Sequence, residues 1–152
     1  MQRAPEFDVA AAHRYFSAYC FNKAWELIDK KERTAEEDQQ MVSMCHASIF
    51  HWSQRSDCER IRLSVGYWQA SHIQSLLNNP SEARRFAKLC LDYSLGQPPF
   101  YLGYAYEALA RAEKLAGNAT AAGAYLAKAK QLANQVTKTE DKELLMKDLA
   151  SL

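Results

Sequence analysis

Several kinds of chemistry are missing from this chain. No glycine-rich phosphate loop, GxSxG or EF-hand pattern occurs in it, which removes the usual sequence signs of nucleotide, serine-hydrolase and calcium chemistry. Cys20, Cys45, Cys58 and Cys90 are scattered, with no CxxC pair, and read as reduced core thiols of a cytoplasmic protein. No apolar run approaches the ~20 residues of a membrane span. The opening MQRAPEFDVAAAHRYF lacks the basic start and apolar core of a signal peptide. A formal net charge of +1 gives no strong field to attract nucleic acid or an anionic membrane. Alternating strand patterns are absent. A cytoplasmic protein without nucleic-acid partner, membrane contact or cofactor is the expectation.

Helix signals are plentiful. At 152 residues and 48% hydrophobic, the chain reads as one domain over 1–152, with enough apolar material for a sizeable core. The stretch 100–136, FYLGYAYEALARAEKLAGNATAAGAYLAKAKQLANQV, is rich in Ala, Leu, Lys, Glu and Gln, all strong helix formers. Gly117-Asn118 divides it into two helices. Gly117 stands where a left-handed residue ends the first helix, and Thr120 is placed to cap the second. Ala108, Ala110, Ala112, Ala122 and Ala129 allow close approach. Such a hairpin needs neighbours of its own kind to bury its apolar face.

The hairpin resembles a tetratricopeptide repeat, W-x2-L-G-x2-Y, then A-x3-F, then P. Tyr106 takes the Trp place, Leu109-Ala110 the Leu-Gly pair, and Ala122-x3-Leu126 the Ala and Phe; Glu113 and Asn134 depart from the pattern. A second copy lies 39 residues earlier, where Tyr67, Ala70, Ser71, Asn78, Ala83 and Phe86 correspond to Tyr106, Leu109, Ala110, Gly117, Ala122 and Tyr125. The period exceeds the usual ~34 residues, and Gly96-Gln97-Pro98-Pro99 absorbs the excess as a linker. The resemblance implies an all-α fold of about seven antiparallel helices, stacked as a right-handed helical-repeat solenoid with a C-terminal capping helix.

The rest of the chain fits that frame. Residues 1–6 read as a frayed tail. A helix is expected from about Phe7 to Lys30, kept whole across Asn22, with two apolar stripes that suggest cover on two sides. Thr34-x-x-Glu37 and Ser56-x-x-Glu59 read as capping boxes. The helix between them, to about Arg55, is apolar on most sides in its second half. A third helix is expected to about Asn78, then a turn and cap at Asn78-Asn79-Pro80-Ser81, then a fourth helix to about Leu95. Thr139 is placed to cap a last helix, to about Ala150, that presents Leu144, Leu145, Leu149 and Leu152 inward and leaves Lys142, Lys147 and Asp148 to water.

Candidate chemistry is sparse. His46 and His51 are five apart, about 140° around a helix, so they cannot share a metal from one face as the His pair of HExxH does. A zinc hydrolase needs His13, His46 and His51 to converge across helices with a carboxylate such as Glu107. Neither a catalytic residue nor a metal site is assigned. The cluster Arg60, Arg62, Arg84, Arg85 and Lys88 reads as a solvated face.

The resemblance implies a concave groove lined by the first helix of each hairpin. It places Trp68, His72 and Ser75 on one stripe and Tyr104, Glu107, Arg111 and Lys114 on the other. Trp68, His72, Tyr104, Glu107 and Arg111 are the groove candidates, an aromatic and charged lining suited to a peptide or small charged ligand. The competing account makes Trp68 a core residue and Glu107–Arg111 an exposed i,i+4 pair. Three functions follow: a non-enzymatic protein or peptide interaction module, a helical metal-dependent hydrolase, and a structural subunit forming a homodimer.

Overall fold

The computed structural model describes residues 2–152. Among them are seven α-helices and no strand. None of these helices is long and apolar enough to cross a membrane. The packing divides into two compact units, one ending at Glu59 and one running from Arg60 to Leu152. The expected tail includes Met1, which lies outside the described residues; the segment that follows it is exposed as far as Ala10.

The first unit is a hairpin of α1 (Val9–Ile28) and α2 (Ala35–Ser53). Asp8 caps α1 by accepting from the Ala11 amide at 3.0 Å, and Asn22 does not interrupt the helix. The Thr34–Glu37 box forms with both halves in place, at 3.2 and 3.0 Å, so two orphan amides of α2 are satisfied at once. The seam joins Ser17, Cys20 and Ala24 to Met41, Cys45 and Ser48, all buried. These small residues bring the helices close enough for the Ser48 hydroxyl to donate to the Ser17 carbonyl at 2.7 Å. Burial pushes the Cys45 thiol up to about 12, so it packs as a small hydrophobe. Two expectations fail here. Tyr15, Phe16 and Tyr19 are exposed, as is Phe50. The second stripe of α1 is therefore covered only in part, with Ala24 buried and Trp25 and Ile28 half-buried, and α2 leaves Phe50 to water, because one small-residue seam on each helix suffices for a pair.

The second unit stacks α3 (Arg60–Leu76), α4 (Pro80–Ser94), α5 (Pro99–Leu115), α6 (Ala119–Ala133) and α7 (Thr139–Ala150) in sequence order, as a repeat-like solenoid. The 39-residue correspondence is visible atom by atom. In the first hairpin the Asn78 and Asn79 amides bond back to the Ser75 and Gln74 carbonyls; in the second, Gly117 and Asn118 bond to Lys114 and Glu113. Both are Schellman closures, with Asn78 at φ 58° and Gly117 at φ 80°. The side chains match too: Asn79 donates to Gln74 at 3.1 Å, and Asn118 to Glu113 at 2.6 Å. Tyr67 stacks on Phe86 with centroids 6.3 Å apart, and Tyr106 meets Tyr125 at 6.1 Å.

That loop geometry corrects the expected caps. The helix-to-helix turn is so short that Asn79 and Asn118 are themselves the N-caps, with their side chains turned back to the preceding helix. Ser81 and Thr120 lie inside the helices they were expected to cap. Similarly, α7 starts at Thr139 with Lys138 before it, and α3 starts four residues after Ser56, so the Ser56–Glu59 box does not form. Short polar residues near a helix start are common, and only the loop geometry decides which one caps.

The last helix covers the end of the stack. Leu145 and Leu149 join Ala129, Ala133 and Val136 in one buried cluster. Gly103 on α5 permits this approach, since a Cβ there would lie 2.7 Å from Leu145 Cδ2. Leu144, expected inward, is 49% exposed. Asp148, expected in water, bonds to α5 instead.

Gly117→Ala should destabilise the protein by about 1–2 kcal/mol, the cost of a Cβ in the left-handed region, although nothing lies within 4 Å of the new atom. Asn78→Gly should leave stability unchanged or raise it slightly. Urea unfolding of both variants checks the assignment; equal midpoints would remove the closure account.

Candidate functional site

Helices α3 and α5, the first helices of the two hairpins, pack side by side. Residues 39 apart thereby face each other, and the five groove candidates converge. Trp68 donates its indole N–H to Glu107 Oε2 at 2.8 Å. Arg111, one turn further along α5, donates to Glu107 Oε1 from Nε at 2.9 Å and from Nη2 at 2.5 Å. His72 stacks on the Trp68 ring, with centroids 5.1 Å apart and planes 9° from parallel. Tyr104 meets Trp68 edge-on at 5.5 Å, and its hydroxyl donates to Asp148 Oδ2 of α7 at 2.6 Å.

The roles differ from those expected. Glu107 does not face an open surface: it is 0% exposed, and its pair with Arg111 is buried on the acid side. The register that matches Trp68 to Glu107 aims both into the seam between α3 and α5, where the indole covers the carboxylate. Trp68 serves both accounts, packing against the Ala87–Ala108–Leu109 cluster while its edge is given to Glu107. Tyr104 is committed to α7. Only His72 and Arg111 reach a cleft, of about 430 Å³, which Ser75 and Lys114 also line.

Electrostatics follow from burial. Removal from water raises the Glu107 carboxyl above its ordinary range, against the opposing pull of Arg111 and the Trp68 indole. Asp148 adds a smaller upward push and, after burial, also raises the Tyr104 phenol. A second acid behaves oppositely: Glu113, at the turn, is held below its usual range first by its bonds to Arg84. Arg84 thus ties α4 to α5 rather than facing water. Arg60 likewise donates to the Asp92 carbonyl and lies 4.8 Å from the Tyr93 centroid.

In the first unit, His13 and His51 do meet. Their Nδ1 atoms are 2.8 Å apart, with Phe16 and Phe50 against the rings. His46 is exposed. Among the described residues, no group of three or more His, Cys, Asp or Glu side chains is arranged to hold a metal. The one proton between the two imidazoles makes a rung between α1 and α2.

Sequence reasoning missed Asp148 as a partner of the site. Its spacing of three from Leu145 puts it on the inward edge of α7, which is the signal that could have found it. It also missed the mutual bond of Trp68 and Glu107, since an acid at a repeat position reads as exposed until its register partner is known.

Removing Arg111 should strand a buried acid. Arg111→Ala should cost about 3 kcal/mol at neutral pH, and Glu107→Gln distinctly less. Because the folded pKa of Glu107 is raised, the stability it lends is complete below its ordinary value and is lost as pH rises through the folded one. The Arg111→Ala defect should therefore shrink on acidification; urea unfolding at neutral and mildly acid pH reads it.

The histidine rung has its own signature. Burial first, then the neighbouring His13, lowers the His51 pKa below 6.5. The unfolded state then takes up a proton sooner, so stability is full above 6.5 and falls as pH drops through the lowered value. Protection of the α1 and α2 amides, taken relative to their intrinsic exchange rate at each pH, should fall between neutral and acid pH, and His51→Phe should flatten that dependence.

No family model matches the sequence, and no curated protein matches it significantly.

Proposed function

We propose that this protein is a non-enzymatic, cytoplasmic interaction module, similar in build to tetratricopeptide repeats, that holds a peptide segment of a partner protein along the α3–α5 face. The observation that carries this reading is the convergence of Trp68, His72, Tyr104, Glu107 and Arg111 beside an open cleft. His72, held by its stacking on Trp68, offers a rigid ring to that cleft at small entropic cost. The shape suits binding better than catalysis. Glu107, the acid whose pKa burial raises, has no exposure through which to reach a substrate. Cys45 and Cys90 are buried thiols pushed up to about 12, far from a nucleophilic thiolate at neutral pH.

The test is selection from a displayed random-peptide library on the immobilised full chain. Enriched peptides should bind His72→Ala about tenfold more weakly, equivalent to roughly 1.4 kcal/mol, with circular dichroism unchanged. His72 is the preferred probe because it lines the cleft, whereas Trp68 also packs in the core. No enrichment, or equal binding to the variant, would reject the α3–α5 face as a peptide site.

A further inference from the structure

The first unit leaves aromatic rings outside. Among its described residues Met41 is the only large side chain sealed from water; the rest of the seam is Ser17, Cys20, Ala24, Cys45 and Ser48. Tyr15 and Phe50 are 60% and 55% exposed, Phe16 and Tyr19 40% and 37%. These four make one surface. Phe16 meets Tyr15 edge-on at 5.0 Å, and Tyr15 stacks on Tyr19 at 5.4 Å. His51, 5.5 Å from Phe16, joins them to Phe50 at 5.4 Å. On α1 the rings follow one stripe, Asp8, Ala12, Tyr15, Phe16, Tyr19 and Lys23, at spacings of three and four. Between Asp8 and Lys23 that stripe carries no charge.

We propose that two copies of this chain pair through this face, with their α1 helices antiparallel about a two-fold axis between Tyr15 and Phe16. The area argues for it. The exposed fractions amount to nearly two whole rings, so one copy offers roughly 400 Å² of aromatic surface and two copies roughly 800 Å². A stable dimer buries about 1,200–2,000 Å², a little over half of it apolar, and the rings alone supply that apolar core. The stripe is also self-complementary. Tyr15 of one copy meets Phe16 of the other. Ala12 and Tyr19 lie equally far from the axis, so each alanine leaves room for a tyrosine of the second copy. Asp8 and Lys23 are likewise equidistant and opposite in charge. Antiparallel pairing sets them together, whereas parallel pairing would set like against like. Lys23 keeps its 2.9 Å bond to Glu26, because an ammonium has three donors. An isologous contact of this kind closes at two copies. The proposal concerns the first unit and does not depend on the peptide-binding reading.

Sedimentation equilibrium of the full chain tests it. From about 1 to about 300 μM the mass should climb towards twice the 17.3 kDa of one chain, with a dissociation constant in the micromolar range. Tyr15→Glu, with its fold verified by circular dichroism, should raise that constant at least about a hundredfold. Leu144→Glu adds the same charge at an exposed position of α7 and should leave it unchanged. Phe50→Glu gives the same reading from α2 should Tyr15→Glu fail to fold. Phe16→Lys should also be monomeric alone. Mixed one-to-one with Tyr15→Glu it should regain the dimer, because the axis sets those two positions against each other. A mass of one chain at every concentration would overturn the proposal and leave the face to a different protein. A dimer that Tyr15→Glu and Phe50→Glu leave intact, or that Leu144→Glu dissociates as readily, would place the contact elsewhere and overturn it too. A mixture that stays monomeric would overturn the antiparallel pairing.

Discussion

A carboxylate sealed from water between two helices is the constraint on which the second unit depends. Glu107 is acceptable there only because Trp68 donates to one oxygen and Arg111 to the other. An ionised acid in that position without partners would cost several kcal/mol. Each partner is in turn fixed by what surrounds it. The indole lies between His72 and Tyr104, and the Tyr104 hydroxyl is bonded to Asp148. One buried charge thereby sets the register of α3 against α5 and links α5 to α7. A slip of one residue along either helix would break the Trp68 bond and turn Glu107 about 100° out of the seam.

The repeat explains why such a site arises in the second unit. Two copies of one hairpin place equivalent positions beside each other, so a pair of unlike residues at the same repeat position becomes a contact. Trp68 with Glu107 is such a pair. The turns are built the same way: Gln74 with Asn79 recurs as Glu113 with Asn118. In the second copy the amide has become an acid, and Arg84 from the preceding helix compensates it. The neutral version needs no partner cation, which is the physical difference between the two turns.

Much of this was legible in the chain. Helix number, the left-handed turn at Gly117 and the 39-residue correspondence follow from local rules about propensity, chirality and spacing. The caps at Ser81, Thr120 and Thr139 did not follow, because several short polar residues compete near each helix start and the length of the closing turn selects among them. The five candidate residues do adjoin one another, but Glu107 is sealed and, of the five, only His72 and Arg111 line the cleft. Sequence spacing gives the stripe a residue occupies. It does not give how near the neighbouring helix comes, and that distance decides whether Glu107 lines a groove or lies sealed beneath an indole. The exposed rings of Tyr15, Phe16, Tyr19 and Phe50 show the same limit in the first unit. Apolar periodicity there overstated the cover that each helix receives.

The first unit and the second solve the same problem of helix pairing by opposite means. In the α1–α2 seam the buried polar groups are neutral hydroxyls, and Ser48 bonds to the Ser17 carbonyl at no cost in charge. That bond carries no titratable charge, and the pH-sensitive rung, His13 with His51, lies at the part-buried margin of the seam. In the α3–α5 seam the buried group is a charge, held by an indole and a guanidinium. Changes in protonation therefore act at the edge of the first unit and at the centre of the second. A group that binds near Arg111 acts on that central charge directly: an added anion raises the cost of ionising Glu107, and a protonated Glu107 releases Arg111. Any charge brought near Arg111 is thus coupled to the protonation of Glu107 through one side chain.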